Sequence, residues 1–89
     1  METNKWKQWD AQEERRRARE AQAQKLVDQT LQYVALNNLY LQIERGQVKL
    51  TIHTANDLRT LVSRAYDQDD PMRDWWMGEF QKLEGWDNV

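Results

Sequence analysis

Cysteine is absent from this chain, which rules out disulfides and thiolate metal sites. Proline occurs once, at 71, and glycine three times, at 46, 78 and 85, so helices can run far without meeting a breaker. His53 is the single histidine; with no cysteine to join it, it reads as a surface or capping residue. "DQDD", residues 67–70, lacks the glycine and the distal glutamate of a calcium loop, which leaves turn and capping roles for its carboxylates. No glycine-rich phosphate loop, nucleophile elbow or paired-carboxylate cleft can be picked out. The expectation is a protein that is not an enzyme, with no catalytic residue, cofactor, metal or small-molecule substrate. No apolar run approaches the roughly 18 residues of a membrane span, and "METNKWKQWD" lacks a signal peptide's apolar core. A cytoplasmic protein with no membrane partner is expected.

What the chain does hold is charge. Of its 89 residues 39% are hydrophobic and 31% charged, a thin supply for a self-sufficient core. With disulfides and thiolate metals excluded, self-association is the expected remedy. The net charge of −2 is unevenly spread. Residues 1–24 carry six basic and five acidic groups, 25–53 three and two, and 54–89 four and eight, so the front leans basic and the back acidic.

From about Trp9 to Arg45 good helix formers predominate, predicting one long helix or two joined near Asn37-Asn38. Its first half is polar all round, with i,i+4 pairs such as Glu13 to Arg17. In its second half Leu26, Val27, Thr30, Leu31, Val34, Asn38 and Leu41 recur at helical spacing, while Tyr33, Leu36, Leu39, Tyr40 and Ile43 carry the apolar surface almost around the rod. A helix of that kind needs cover on more than one side, and Leu31, Val34, Leu39 and Leu41 are the expected oligomerisation residues. Gly46 suits the left-handed position that ends a helix. In "QVKLTIH" Val48, Leu50 and Ile52 alternate as in a strand, yet no second strand exists for it. It is an extended connector or an edge that pairs with another copy.

Thr54 with Asp57 reads as a capping box opening a helix over 54–66, whose Leu58, Leu61, Val62, Ala65 and Tyr66 form one apolar face. Asp70-Pro71 opens a third helix to Leu83, and Gly85 ends it. The tail after it frays unless Trp86 docks. The fold class is therefore all-α: a long helix, an extended connector near 47–53 and two short helices, in an oligomeric helical assembly. The chain reads as one domain, 1–89, with a charged, projecting arm over 1–24, a helical core over 25–83 and a tail over 84–89.

Two constellations admit competing readings. Arg15, Arg16, Arg17 and Arg19, with Lys5 and Lys7, could meet the phosphates of a nucleic acid, with Trp6 and Trp9 as stacking groups. The competing reading is a solvated helix face, because Glu13, Glu14 and Glu20 flank the arginines. Trp75, Trp76, Phe80 and Trp86 could anchor a protein partner within an acidic rim, or pack in the core. Consecutive residues point apart on a helix, so one face cannot hide both Trp75 and Trp76.

"DAQEERRRAREAQAQK", residues 10–25, resembles the arginine-rich RNA-binding peptide of lambdoid phage antitermination N proteins, from which it departs in the acids among its arginines. "IERGQVKLTIHTANDLRTLVSRAYD", residues 43–67, with its helix end, glycine, alternating linker and capped helix, resembles short phage proteins of the small-terminase kind. That resemblance is architectural. It implies a helical, self-associating protein that binds DNA and hands it to a protein partner, in the cytoplasm of a host cell. A non-enzymatic phage-type DNA-binding or packaging accessory is the first expectation. The alternative is a protein-only adaptor or inhibitor that uses the tryptophan-rich helix and binds no nucleic acid.

Overall fold

The computed structural model describes the backbone of residues 2–89 and the side chains of residues 12–89. It is all-helical, with α1 over Glu2–Glu44, α2 over Ile52–Ala65, α3 over Pro71–Gln81 and a 3-10 turn over Trp86–Asn88. The molecule is elongated, with principal extents of 70 × 23 × 16 Å.

α1 starts earlier than the expected Trp9 and does not divide at Asn37-Asn38. The Asn37 amide donates to the Tyr33 carbonyl one turn back, at 2.9 Å, so this side chain is satisfied on its own helix and does not interrupt it. Gly46 ends the run in the left-handed region, at φ +75°. There the Gln47 and Val48 N–H groups both reach the Gln42 carbonyl, at 2.8 and 3.1 Å, and satisfy an acceptor the helix end would otherwise leave exposed.

Two sequence-based expectations are corrected in the next stretch. No strand occurs among the described residues, in keeping with the extended-connector reading, but the connector lies over 45–51 and not 47–53, because α1 ends at Glu44 and α2 opens at Ile52. Val48 and Leu50 do pack on the core, but Ile52 begins a helix and is 59% exposed, so the alternation stops short of a strand. The cap is Thr51, and Thr54 stands three residues inside the helix. The Thr51 N–H donates to Thr54 Oγ1 at 2.7 Å while the Thr54 N–H donates to Thr51 Oγ1 at 3.3 Å. A hydroxyl at the third position thus does what glutamate does in the commoner capping box, and Asp57 is not needed.

α3 begins as its sequence suggests: Asp70 Oδ1 accepts from the Met72 N–H at 3.0 Å, with Pro71 at the first turn. The regular helix stops at Gln81, and Leu83 is carried inward by tighter turns beyond it. Gly85, at φ +87°, turns the chain so that Trp86 comes back onto Phe80, with ring centroids 5.4 Å apart. Arg59 covers the same indole at 4.6 Å from its centroid, a cation–π contact. The tail is therefore docked.

The core lies where α2 meets the lower part of α1. α2 buries Ala55, Leu58, Val62 and Ala65, and Leu58 and Val62 join Leu36 and Ile43 of α1, Trp76 and Phe80 of α3, and Leu83 in one cluster. Leu39, Tyr40 and Tyr66 close its edges. Arg73 fastens α3 to the end of α2 by donating to the carbonyls of Tyr66 and Ser63, at 3.1 and 2.8 Å. At the upper limit of the base, Asp67 accepts from Gln29 at 3.0 Å and pairs with Lys25 at 3.3 Å. Side chains 14–28 are all exposed, so above this clasp α1 stands as a single projecting helix.

Candidate functional site

Among the described residues, the side of α1 turned away from the core carries a run of exposed apolar side chains. At 100° per residue, Leu36 and Ile43 point to one side of the helix, and Val27, Leu31, Val34 and Leu41 point to the opposite side. Val27, Leu31, Val34 and Leu41 are exposed, Leu31 most of all at 61%. Leu26 and Tyr33 widen the strip toward Tyr66, whose ring meets that of Tyr33 edge-on at 6.2 Å. From residue 29 to residue 43 there is no charged side chain. A helix face that is half apolar, uncharged and bare is unusual for a water-facing surface, which normally carries the charged residues.

Of the four expected oligomerisation residues, Leu31, Val34 and Leu41 lie on this face. Leu39 does not: it is partly buried against the core, because residue 39 points toward the α2 side. Val27 belongs with the other three, and the single period that links it to them was already visible in the spacing.

The arginines occupy the projecting arm. Arg15, Arg16, Arg17 and Arg19 are all exposed. Arg17 reaches Glu13 at 3.3 Å, and Arg16 lies 4.0 Å from Glu13 and 3.8 Å from Glu20. Pairs as exposed as these are worth only about 0.3–0.5 kcal/mol each, so they order the side chains weakly and leave them able to exchange partners. Arg15 and Arg19 are one turn apart and form, with Gln12 and Arg16, a shallow groove along the arm. Lys5, Lys7, Trp6 and Trp9 fall outside the described side chains.

The aromatic cluster divides. Trp76 is 4% exposed and Phe80 is fully covered, so both are core residues in this conformation. The Trp76 indole N–H donates to the Tyr66 hydroxyl at 3.1 Å, and its ring meets Tyr40 edge-on at 5.4 Å. Trp86 is half-buried on Phe80. Trp75 alone of the four points outward, 52% exposed, edge-on to Trp76 at 5.1 Å, with the exposed Met72 one turn before it. The contacts that bring Arg59 to Trp86 and Asp67 to Lys25 join residues far apart in the chain, and no local pattern signals them.

His53 is exposed in the first turn of α2. Among the described residues no group of three or more histidine, aspartate or glutamate side chains gathers into a possible metal site, and no helix is long and apolar enough to cross a membrane. Among the described residues, two groups have shifted proton affinities. Burial, reinforced by the negative charges of Glu44 and Glu79, pushes the Tyr40 hydroxyl above its ordinary 10.0. The hydrogen bond and charge of Glu79, 2.9 Å away, raise Lys82 above its ordinary 10.5. Both shifts are upward from values already well above neutral pH. No family model matches the chain, and comparison with curated proteins and with solved structures returns no similar one.

Proposed function

We propose that this chain is a non-enzymatic, self-associating helical protein whose arginine arm meets the phosphate backbone of a nucleic acid, as in a phage-type DNA-binding or packaging accessory. The observation that carries the reading is the uncharged stretch 29–43, with apolar side chains bare on the side of α1 away from its core. Covering Val27, Leu31, Val34 and Leu41 in two copies, each side chain already about half buried, contributes roughly 6–12 kcal/mol. Association costs about 4–15 kcal/mol in lost freedom, so the balance is small and pairing depends on concentration. Pairing also doubles the excess of basic over acidic groups that the two arms present together.

The nucleic-acid half of the proposal rests on the arm's position, clear of α2 and α3, and on its four exposed arginines. It is tested by binding to a DNA or RNA duplex over a range of salt. Each neutralised phosphate contributes a slope of about −0.9 in log affinity against log salt. Arg15→Ala with Arg19→Ala is expected to flatten that slope by about 2 for each chain bound. If neither nucleic acid is retained even at low salt, the phosphate reading fails.

A protein-only adaptor is the second reading, favoured by one feature: Trp75 and Met72 expose an apolar spot within an acidic stretch. Its anchor would be Trp75, since Trp76 and Phe80 are occupied in the core. Trp75→Ala should then abolish capture of the partner and leave helicity unchanged.

A further inference from the structure

We infer that α1 pairs with α1 of a second copy as a parallel, in-register, two-stranded coiled coil whose seam runs through Val27, Leu31, Val34, Asn38 and Leu41. The inference rests on the self-association reading and gives it a geometry. Those five residues are spaced 4, 3, 4 and 3 apart, the alternation that keeps one stripe of a helix against a partner helix. Leu31 and Asn38 take the first position of the seven-residue repeat; Val27, Val34 and Leu41 take the fourth. Leu36 and Ile43 take the outermost position, directly away from the seam. Because α2 and α3 pack on that outer side, two bases would sit back to back, each clear of the other's helix.

Charge makes a second copy the fitting occupant. The positions flanking the apolar seam are Asp28, Thr30, Ala35, Asn37 and Gln42; Asp28 is the one charge among them, and in register it meets the partner's neutral position 23, so identical chains meet there without repulsion. Toward the arm the same stripe continues through Glu13, Arg17 and Glu20, opposite signs one turn apart. In a pair, each Arg17 can reach carboxylates of both chains. This separates the arginines by role: Arg17 belongs to the seam, while Arg15 and Arg19 remain on the outer surface.

Asn38 sets direction. In a parallel pair its amide faces the same amide and the two bond to each other. In an antiparallel pair centred on Val34 it faces Leu31 and is buried without a partner, which is disfavoured. Size is consistent with a reversible contact. From Glu13 to Leu41 the stripe is about 42 Å long, and with a helix about 12 Å across it offers roughly 1,000 Å² in all. That is just under the roughly 1,200–2,000 Å² typical of stable pairs.

The absence of cysteine allows a direct test in the full chain. In the parallel pair position 24 lies against itself; in the antiparallel pair it lies against position 44. Gln24→Cys is expected to cross-link to itself under mild oxidation, giving a species of twice the chain mass and no larger. A mixture of Gln24→Cys and Glu44→Cys should give no cross-link between the two in excess of random collision. Asn38→Leu should tighten association at least tenfold and let the antiparallel cross-link appear. Cross-linking only between the two variants, or a mass above two chains, overturns the inference while leaving self-association standing. Single-chain mass at millimolar concentration with no cross-link overturns both.

Discussion

Leu31 and Leu36 are five residues apart on one helix and differ in everything around them. Leu36 is fully covered by the packing of α2 and α3, whereas Leu31 is 61% exposed with no other element beside it. The same contrast repeats along the rod: Ile43 is buried and Leu41 exposed; Tyr40 is edged by Trp76 and Phe80, while Val34 is bare. One side of α1 has found its cover within the chain, and the other side is built of the same residues without it. Two short helices with a small apolar complement shelter one stripe of a long helix, and the second stripe is left exposed.

Substitutions on the two sides should therefore act on different quantities. The largest effect is expected inside: Phe80→Ala removes a fully buried ring that touches Trp76, Tyr40 and Trp86, and should lower stability by about 3–5 kcal/mol in a denaturant titration. Trp75→Ala, five residues earlier and half exposed, should cost far less; an equal cost would mean that Trp75 is also core. On the bare side, Leu31→Asp should leave the helical signal of dilute protein intact and weaken self-association about a hundredfold, or roughly 3 kcal/mol. If it unfolds the chain instead, the two faces are not independent.

The contrast was half legible in the sequence. The run without proline or glycine announced α1, and the spacing of Leu58, Val62 and Ala65 announced the buried face of α2. What could not be read was which of the two apolar stripes on α1 would receive it. Both stripes repeat at helical spacing, and the choice is made by contacts such as Asp67 with Lys25 and Gln29, which span about forty residues. That is why Leu39 was grouped with Leu31 though it belongs to the core. Trp75 and Trp76 posed the same problem at short range: adjacency showed that they must diverge, and only the placement of Tyr40 and Tyr66 decided which ring went inside. The cap of α2 was missed for a local reason, since Thr51 and Thr54 are three apart and either can serve as the first hydroxyl.

Smaller effects refine the picture of the joint between α1 and the base. Thr51→Ala removes one side of the reciprocal cap and should cost about 1 kcal/mol, with Thr54→Ala costing a comparable amount; a cost confined to Thr54 would restore it as the cap. Tyr40 is raised first by burial and then by Glu44 and Glu79, so the stability it lends is fully present below its ordinary 10.0 and is lost as pH climbs through its folded value. Lys82, raised by Glu79, acts in the same direction. The midpoint of thermal unfolding should fall above about pH 10, and Tyr40→Phe should reduce that fall. A profile unchanged by the substitution would remove Tyr40 from the joint's alkaline response.

Sedimentation equilibrium of the unmodified chain, from low micromolar to millimolar concentration, tests the unshared face of α1 most directly. The weight-average mass should climb smoothly from one chain toward two and level off there. A mass that stays at one chain over the whole range would contradict the claim that a second copy covers Leu31 and its neighbours.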